Sequence, residues 1–141
     1  MALRTAAEYR EGLRDGRVVY YRGELVEDVT THEQLGIGVR HTSLDFELAE
    51  DEQHRDLFSW SDEDGQVHSR YYKHPTGSQD LLNRREMIET STRLGSSTVL
   101  LIKEIGTDAL FALDLVSRVI DEKAGTDYHA RVSAFHQHAR D

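Results

Sequence analysis

The spacing of apolar residues along the chain predicts a mainly α fold. Apolar positions recur at helical intervals around Leu44 and Leu48, and most regularly between Leu110 and Ile120. From this pattern and its flanking residues we predict five main helices, over residues 6–14, 31–51, 79–94, 107–124 and 127–141. A sixth, shorter helix is expected within EQHRDLFSW, at residues 52–60.

Capping residues indicate where several of these helices begin. Thr5 followed by Glu8 has the spacing of a capping box, and Thr31 followed by Gln34 repeats that spacing. Ser78 can cap the helix predicted over residues 79–94. These residues predict helices that begin immediately after Thr5, Thr31 and Ser78.

The triplet Gly-Thr-Asp occurs twice in the C-terminal half, at residues 106–108 and 125–127. A glycine, a capping hydroxyl and an acidic first turn are typical of a helix start, so both triplets predict one. Before the first triplet, Gly95-Ser96-Ser97 interrupts the helical pattern, and the most apolar stretch of the chain follows, from Val99 to Ile105.

A short β segment is expected early in the chain. RVVYY and ELV carry β-branched and aromatic residues on either side of Arg22-Gly23, which predicts one small β-hairpin near residues 18–26. Further on, SDEDGQ is expected to form a turn at Asp64-Gly65, and VHSRYY an extended stretch.

Composition narrows the possible partners. The chain has 141 residues, which is the size of one domain, and its formal net charge is −9. An acidic chain is a poor partner for nucleic acid or an anionic membrane surface. The apolar fraction is 38%, which indicates that part of the apolar surface belongs to an interface. We find no stretch of signal-peptide or membrane-span character, so we expect a cytoplasmic protein.

Candidate catalytic and metal-binding groups are sparse. The chain has no cysteine, so thiolate metal sites and cysteine nucleophiles are excluded. His129 and His136 share a helix face, but a spacing of seven residues requires outside ligands for a metal, and we expect no metal site. The acidic run from Glu47 to Asp56 lacks the glycine of a calcium loop. Glycine-rich phosphate loops and a G-x-S-x-G elbow are also missing.

The order of several short motifs resembles the start of the 4-hydroxyphenylacetate 3-hydroxylase family. That family includes two-component flavin monooxygenases and 4-hydroxybutyryl-CoA dehydratase/vinylacetyl-CoA isomerase enzymes. The matching positions are Tyr9, Val19-Tyr20, Gly23-Glu24, Val26-Glu27-Asp28 and Thr30-Thr31-His32. Segments such as LDFELAED, DLLNRREMIE and IGTDALFAL extend the likeness over nearly the whole chain.

The resemblance implies a fold and a set of partners. Residues 1–141 would form a single N-terminal helical domain like that of acyl-CoA dehydrogenase-type flavoproteins. The flavin-binding middle and C-terminal domains would lie outside this chain, making it a fragment or one part of a split enzyme. It also implies reduced FAD bound mainly by those domains or by a companion subunit, a partner flavin reductase, and assembly into a homo- or hetero-oligomer.

The resemblance transfers few site residues. The two cluster cysteines of the dehydratases match Leu100 and Glu104, so no iron–sulfur cluster is expected. The arginine and tyrosine that grip the phenol in the hydroxylases match Ile105 and Ala109. No catalytic or cofactor-binding residue is assigned. The substrate-pocket candidates are Lys103, Glu104, Ile105, Asp108 and Ala109.

Three functions remain open at this point. The first is the N-terminal part of an FADH2-using monooxygenase acting on an aromatic or acyl substrate, in which this chain alone is inactive. The second is a non-catalytic helical interaction module. The third is a dehydratase or isomerase relative that lacks the cluster cysteines.

Overall fold

The computed structural model describes residues 3–96 and 101–140 and is mainly helical in both ranges. The described elements are α1 (Ala6–Gly12), β1 (Val19–Tyr21), β2 (Glu24–Val26), α2 (Leu35–Glu50), α3 (Arg55–Phe58), β3 (Ser59–Ser61), β4 (Val67–Ser69), α4 (Ser78–Leu94), α5 (Leu101–Ala124) and α6 (Tyr128–Arg140). A 3-10 turn, Arg70–Tyr72, follows β4. The mainly α prediction is therefore confirmed. The predictions on Ser97, Val99 and Leu100 lie outside the described residues.

Helix α1 begins as predicted and packs on α2. The capping box is present: Glu8 N donates to Thr5 Oγ1, and Thr5 N donates to the Glu8 carboxylate at 2.8 Å. The helix ends at Gly12 rather than Arg14. Stacking of Tyr9 on Phe46, with ring centroids 4.9 Å apart, holds α1 against α2.

The first hairpin is confirmed. Strands β1 and β2 are antiparallel, with Tyr20 opposite Leu25. The turn residues Arg22 and Gly23 have φ of 53° and 87°, the left-handed pair that a two-residue hairpin turn requires. Glycine supplies one of these two positions without steric cost.

The start of α2 differs from the prediction. The helix begins at Leu35, and Gln34 at its N-cap position makes no side-chain cap hydrogen bond, so the capping box expected at Thr31 is wrong. His32 takes the capping role, because its Nδ1 accepts from the backbone N–H groups of Gln34 and Leu35, both at 3.2 Å. An imidazole nitrogen can satisfy the same unpaired donors as a hydroxyl.

The short helix expected over residues 52–60 is confirmed in part, as α3, and a second hairpin follows it. Helix α3 lasts for four residues only, and β3 then pairs antiparallel with β4. Asp62 fixes the connecting turn: its Oδ1 accepts from Gln66 N at 2.8 Å, and its Oδ2 lies 2.8 Å from His68 Nε2. The prediction of a single hairpin was wrong: the turn at Asp64-Gly65 and the extended stretch after it were predicted, but the pairing of that stretch with Ser59–Ser61 was not.

The first Gly-Thr-Asp triplet does not start a helix. It lies inside α5, where the Thr107 hydroxyl donates to the Lys103 carbonyl at 2.7 Å, one turn back, and so provides no cap. The second triplet does separate two helices, and Gly125 ends α5 with φ of 64°. Asp121 of α5 caps α6, since its carboxylate accepts from the backbone N–H groups of Tyr128 and His129.

The described apolar core is small and lies between α2, α3, the 3-10 turn and α4. Its buried members are Leu48, Phe58, Tyr71 and Met87. Phe58 and Tyr71 meet edge to face with centroids 6.4 Å apart. A core of this size leaves much apolar surface uncovered.

Helix α5 carries a large share of that uncovered apolar surface. We call the exposed stripe on this helix the α5 outer face, which consists of Ile105, Ala109, Leu113, Val116 and Ile120. These positions share one side of the helix at the i, i+4 and i+7 spacing. The opposite side of α5 packs inward through Leu110 and Phe111. Within the described ranges, no helix has the length and apolar character that crossing a membrane requires.

Candidate functional site

A cavity of about 660 Å³ lies at the junction of several elements. Helix α2 contributes Asp45 and Phe46, the 3-10 turn contributes Tyr72, α5 contributes Lys103, and α6 contributes Phe135. A volume of this order is typical of small-molecule sites. The cavity joins aromatic rings to charged groups.

An ion pair between α5 and α2 borders the cavity. Lys103 Nζ lies 3.2 Å from Asp45 Oδ2, and the Tyr71 hydroxyl donates to Asp45 Oδ1 at 2.9 Å. Lys103 Nζ also lies 3.9 Å from the centroid of the Phe46 ring, which is a cation–π contact. Both oxygens of the buried Asp45 carboxylate are therefore occupied by protein groups.

Burial changes the proton affinity of each group in this cluster. Desolvation raises the pKa of Asp45, and the positive charge of Lys103 offsets part of that rise. Desolvation lowers the pKa of Lys103, while Asp45 partly opposes the change. Burial and the nearby Asp45 together raise the pKa of Tyr71, which keeps its hydroxyl a donor. These opposing shifts narrow the gap between the proton affinities of Lys103 and Asp45.

A second buried cation, Arg84 of α4, ties α4 to α5. Its Nη2 contacts Thr107 Oγ1 at 2.8 Å and Asp108 Oδ1 at 2.7 Å, and its Nη1 donates to the Tyr71 carbonyl at 3.2 Å. Its guanidinium lies 5.5 Å from the centroid of the Phe111 ring. The planar guanidinium can bridge three elements at once because it presents five donors.

Glu104 is a buried acid whose side chain makes no hydrogen bond to the described part of the chain. Neither carboxylate oxygen has one among the described residues, and 4% of the residue is exposed. Burial, together with the negative charge of Asp45, raises the pKa of Glu104 to about 7. This carboxyl therefore changes charge near neutral pH inside the protein.

The five substrate-pocket candidates divide between two sides of α5. Lys103 lines the cavity and Glu104 is buried. Ile105, Asp108 and Ala109 are exposed, and Asp108 reaches back to Arg84. The structure therefore does not bring all five candidates together.

The sequence reasoning missed Asp45, Tyr71 and Arg84. A signal for Arg84 was present, since it shares a helical face with Met87 and Ser91, both buried. Asp45 likewise lies three residues before Leu48 on the inner face of α2. Both polar residues could have been placed in the interior by periodicity, but their partners on distant elements could not.

The two histidines that share a face of α6 make protein contacts. His136 Nε2 lies 2.8 Å from the Tyr72 carbonyl, and His129 Nδ1 lies 3.4 Å from Asp114 Oδ1. The search of the described residues finds no group of three or more His, Cys, Asp or Glu side chains that could hold a metal. Through these contacts the two histidines connect α6 to the 3-10 turn and to α5.

The fold and these contacts define a helical N-terminal domain of the acyl-CoA dehydrogenase-like type. The profile of the family described as 4-hydroxyphenylacetate 3-hydroxylase N terminal matches residues 5–141. The chain belongs to this family. The match confirms the resemblance on which the sequence analysis relied.

Relatives and solved structures come from both branches of the family. The oxygenase component of 4-nitrophenol 4-monooxygenase/4-nitrocatechol 2-monooxygenase from Rhodococcus opacus is 37% identical over 83 residues, which cover 59% of this chain and 16% of the relative. An archaeal 4-hydroxybutyryl-CoA dehydratase from N. maritimus superposes with a TM-score of 0.84 at 26% identity, over 99% of this chain and 27% of that one.

A third comparison involves a flavin complex. The oxygenase component of 4-hydroxyphenylacetate 3-monooxygenase, solved with FAD, is 30% identical with a TM-score of 0.59, over 65% of this chain and 19% of that one. In each comparison the chain spans little more than a quarter of its relative, or less. The activity of a whole relative is therefore a proposal for this protein.

Proposed function

We propose that this chain is the N-terminal domain of the oxygenase component of a two-component, FAD-dependent monooxygenase acting on an aromatic or acyl substrate. Family membership over residues 5–141 is the observation that carries the proposal. Relatives that are oxygenase components support it. On this proposal, residues 1–141 form a single helical domain, inactive alone, and the flavin-binding domains are supplied by the rest of the protein or by a companion subunit.

The α5 outer face is the surface that would meet the flavin-holding part. Its side chains, such as Leu113 and Val116, are aliphatic and about half exposed in the isolated chain. Burying each against a partner would contribute about 1–2 kcal/mol. An exposed apolar stripe on a 24-residue helix is typical of a surface that a partner covers.

On this proposal, the outer face would contact the ring system of FAD rather than its phosphates. Ile105 and Ala109 offer apolar contact, whereas the charged group beside them, Asp108, is an acid and would repel phosphate. The chain would therefore form a wall beside FAD, while the phosphates are held elsewhere. When bound and reduced, FAD supplies the oxygen-activating chemistry.

Residues of this chain would form part of the wall of the substrate pocket and exclude water from it. Ile105 and Ala109 would exclude water from one wall, and Asp108, oriented by Arg84 at 2.7 Å, would place an acceptor at its edge. Lys103 and Glu104 lie behind this wall, within the domain. The Glu104 carbonyl accepts from Arg84 Nη2 at 3.1 Å, and this contact would fix the position of the α5 turn that carries the wall.

The proposal implies further partners. A separate reductase would supply reduced flavin, as the term oxygenase component implies for the relatives. Because free reduced flavin reacts with oxygen, the two components would share one compartment, which we propose is the cytoplasm. The outer face would also contribute to contacts within a homo- or hetero-oligomer.

A dehydratase is the second candidate function. The superposition on the N. maritimus enzyme, over 99% of this chain, favours it. The sequence opposes it, because the chain has no cysteine and Glu104 occupies one position that the resemblance assigns to a cluster ligand. A carboxylate is a poorer ligand than a thiolate for an iron–sulfur cluster.

The test expresses the whole protein that contains these residues and supplies it with FAD, NADH, a flavin reductase and a panel of phenols. The proposal expects hydroxylated product that depends on both reductase and oxygen. It is overturned by 4-hydroxybutyryl-CoA dehydration without hydroxylation, or by a folded protein that neither binds reduced FAD nor turns over, as a non-catalytic module would.

A matched pair of substitutions tests the outer face. Ala109→Arg puts a long charged side chain on the proposed pocket wall, and Ala124→Arg makes the same change at the exposed end of α5. We expect Ala109→Arg to lower kcat/KM at least tenfold and Ala124→Arg to leave it within twofold. Equal effects would contradict the placement of the wall.

A further inference from the structure

Glu104 and Arg84 are buried neighbours that meet through the backbone of Glu104 and not through its carboxyl group. Arg84 Nη2 donates to the Glu104 carbonyl at 3.1 Å, whereas both carboxyl oxygens lack a hydrogen-bond partner within the described ranges. The positive charge of Arg84 opposes the rise in the pKa of Glu104, so the two side chains lie within electrostatic range of each other. A buried carboxyl normally accepts hydrogen bonds, and arginine is well suited to donate them.

Asp108 holds the guanidinium at the edge of the domain instead. Arg84 Nη2 contacts Thr107 Oγ1 at 2.8 Å and Asp108 Oδ1 at 2.7 Å in addition to the Glu104 carbonyl. A terminal guanidinium nitrogen carries two N–H groups, so three acceptors compete for two donors. The Asp108 side chain is 64% exposed, and water screens an exposed carboxylate. The contact with Asp108 is therefore the one that a buried anion could displace.

Titratable and charged groups from four elements surround the Glu104 side chain. Among the described residues they are Arg84 of α4, Asp45 of α2, Tyr71 of the 3-10 turn and Asp108 of α5 itself. Burial raises the pKa of Glu104 to about 7, and Asp45 adds to the rise. Asp45 is itself already paired with Lys103. Arg84 is thus the cation in this group whose carboxylate partner lies on the exposed side.

We propose that Glu104 is a switch for the α5 outer face: when its carboxyl loses its proton, Arg84 turns towards it and releases Asp108. While Glu104 is protonated, Arg84 stays on Asp108 as the structure shows. A buried carboxylate without a counter-ion is costly, and an ion pair is stronger in the interior than at the surface because the local dielectric is low.

The switch changes the charge of the surface next to the α5 outer face. With Glu104 protonated, the Asp108 carboxylate is paired with a guanidinium. With Glu104 ionised, Asp108 stands as an unpaired anion beside Ala109 on the surface of α5. One proton inside the domain therefore controls a charge on its outside. The device uses residues of this chain alone and does not depend on the proposed oxygenase function.

Crystal structures of the protein at pH 5.5 and pH 8.5 test the exchange of partners. At the lower pH we expect Arg84 Nη2 on Asp108 Oδ1. At the higher pH we expect a guanidinium nitrogen within about 3.2 Å of a Glu104 carboxylate oxygen, and Asp108 beyond hydrogen-bond distance. Arg84 on Asp108 at both pH values overturns the proposal, as does an ionised Glu104 that is paired with water or another cation.

Carbon-13 NMR of the side-chain carboxyl groups tests the same switch in solution. We expect the Glu104 Cδ signal to titrate with a midpoint at about pH 7, and the Asp108 Cγ signal to shift with the same midpoint. The Arg84 guanidinium signals should follow that midpoint too. Arg84 signals that stay constant while Glu104 ionises overturn the proposal, and so does a Glu104 midpoint near its ordinary value of 4.5.

A matched pair of substitutions on α5 isolates the role of Glu104. Glu104→Gln keeps the side chain neutral, so we expect Arg84 to remain on Asp108 at pH 8.5 and the NMR steps of both residues near neutral pH to disappear. Glu122→Gln makes the same change at an exposed position of α5 and should leave the exchange as it is in the parent. An exchange that persists in Glu104→Gln, or that is lost in Glu122→Gln, overturns the assignment.

Discussion

Lys103 on α5 and Asp45 on α2 form a buried ion pair, with Nζ 3.2 Å from Oδ2, that joins two helices far apart in sequence. The pair borders the cavity, and the Tyr71 hydroxyl donates a hydrogen bond to Asp45. A buried pair of this kind is costly to form and more costly to break on one side only. The cluster therefore fixes the position of α5 relative to the core.

Asp45→Ala is expected to destabilise the protein by about 3 kcal/mol, since it leaves Lys103 buried without its counter-ion. Urea unfolding followed by circular dichroism measures the loss. Arg131→Ala is the matched control, because its ion pair with Asp127 is mostly exposed and should contribute about 0.5 kcal/mol or less. Similar losses in the two variants would show that the Asp45 cluster does not hold the fold.

Glu104 should make stability fall as pH rises. The pKa of Glu104 is about 7 in the folded protein, above the ordinary value of 4.5, so the folded state holds the proton more tightly. Between these values the unfolded chain releases the proton first, and rising pH therefore lowers the free energy of unfolding. After solvent screening, we expect a loss of about 1–2 kcal/mol between pH 4 and pH 8.

Glu104→Gln removes this titration and isolates its effect from that of other groups. We expect the variant to be more stable than the parent at pH 8, with a difference that shrinks towards pH 4. Urea unfolding at several pH values provides the comparison. A difference that is constant with pH would mean that Glu104 does not titrate in this range.

Asp121 should control the docking of α6. Its carboxylate accepts from Thr126 Oγ1 and from the backbone N–H groups of Tyr128 and His129, so one side chain holds the start of the helix. Asp121→Ala is expected to speed amide hydrogen exchange across Tyr128–Arg140. Thr126→Ala leaves the two backbone contacts in place and should change exchange much less. Equal acceleration in both variants would assign the cap to Thr126 instead.

Local sequence signals predicted those parts of the fold that depend on near neighbours. The Thr5–Glu8 capping box, the Arg22-Gly23 hairpin turn and the glycine stop at Gly125 all formed as expected. The failures came where one local signal had competitors. His32 replaced Thr31 as the cap of α2, and Ser78 is the first residue of α4 rather than its cap.

The sequence by itself determined the mainly helical class, the acidic charge and the family, because periodicity, composition and motif order are properties of the chain. Only the tertiary structure decided which partners the buried polar residues meet. Helical periodicity could have placed Asp45 and Arg84 in the interior, but no local signal identifies the groups that surround them or Glu104. Their chemistry depends on desolvation and on charges brought from distant elements, which arise only when α2, α4 and α5 pack together.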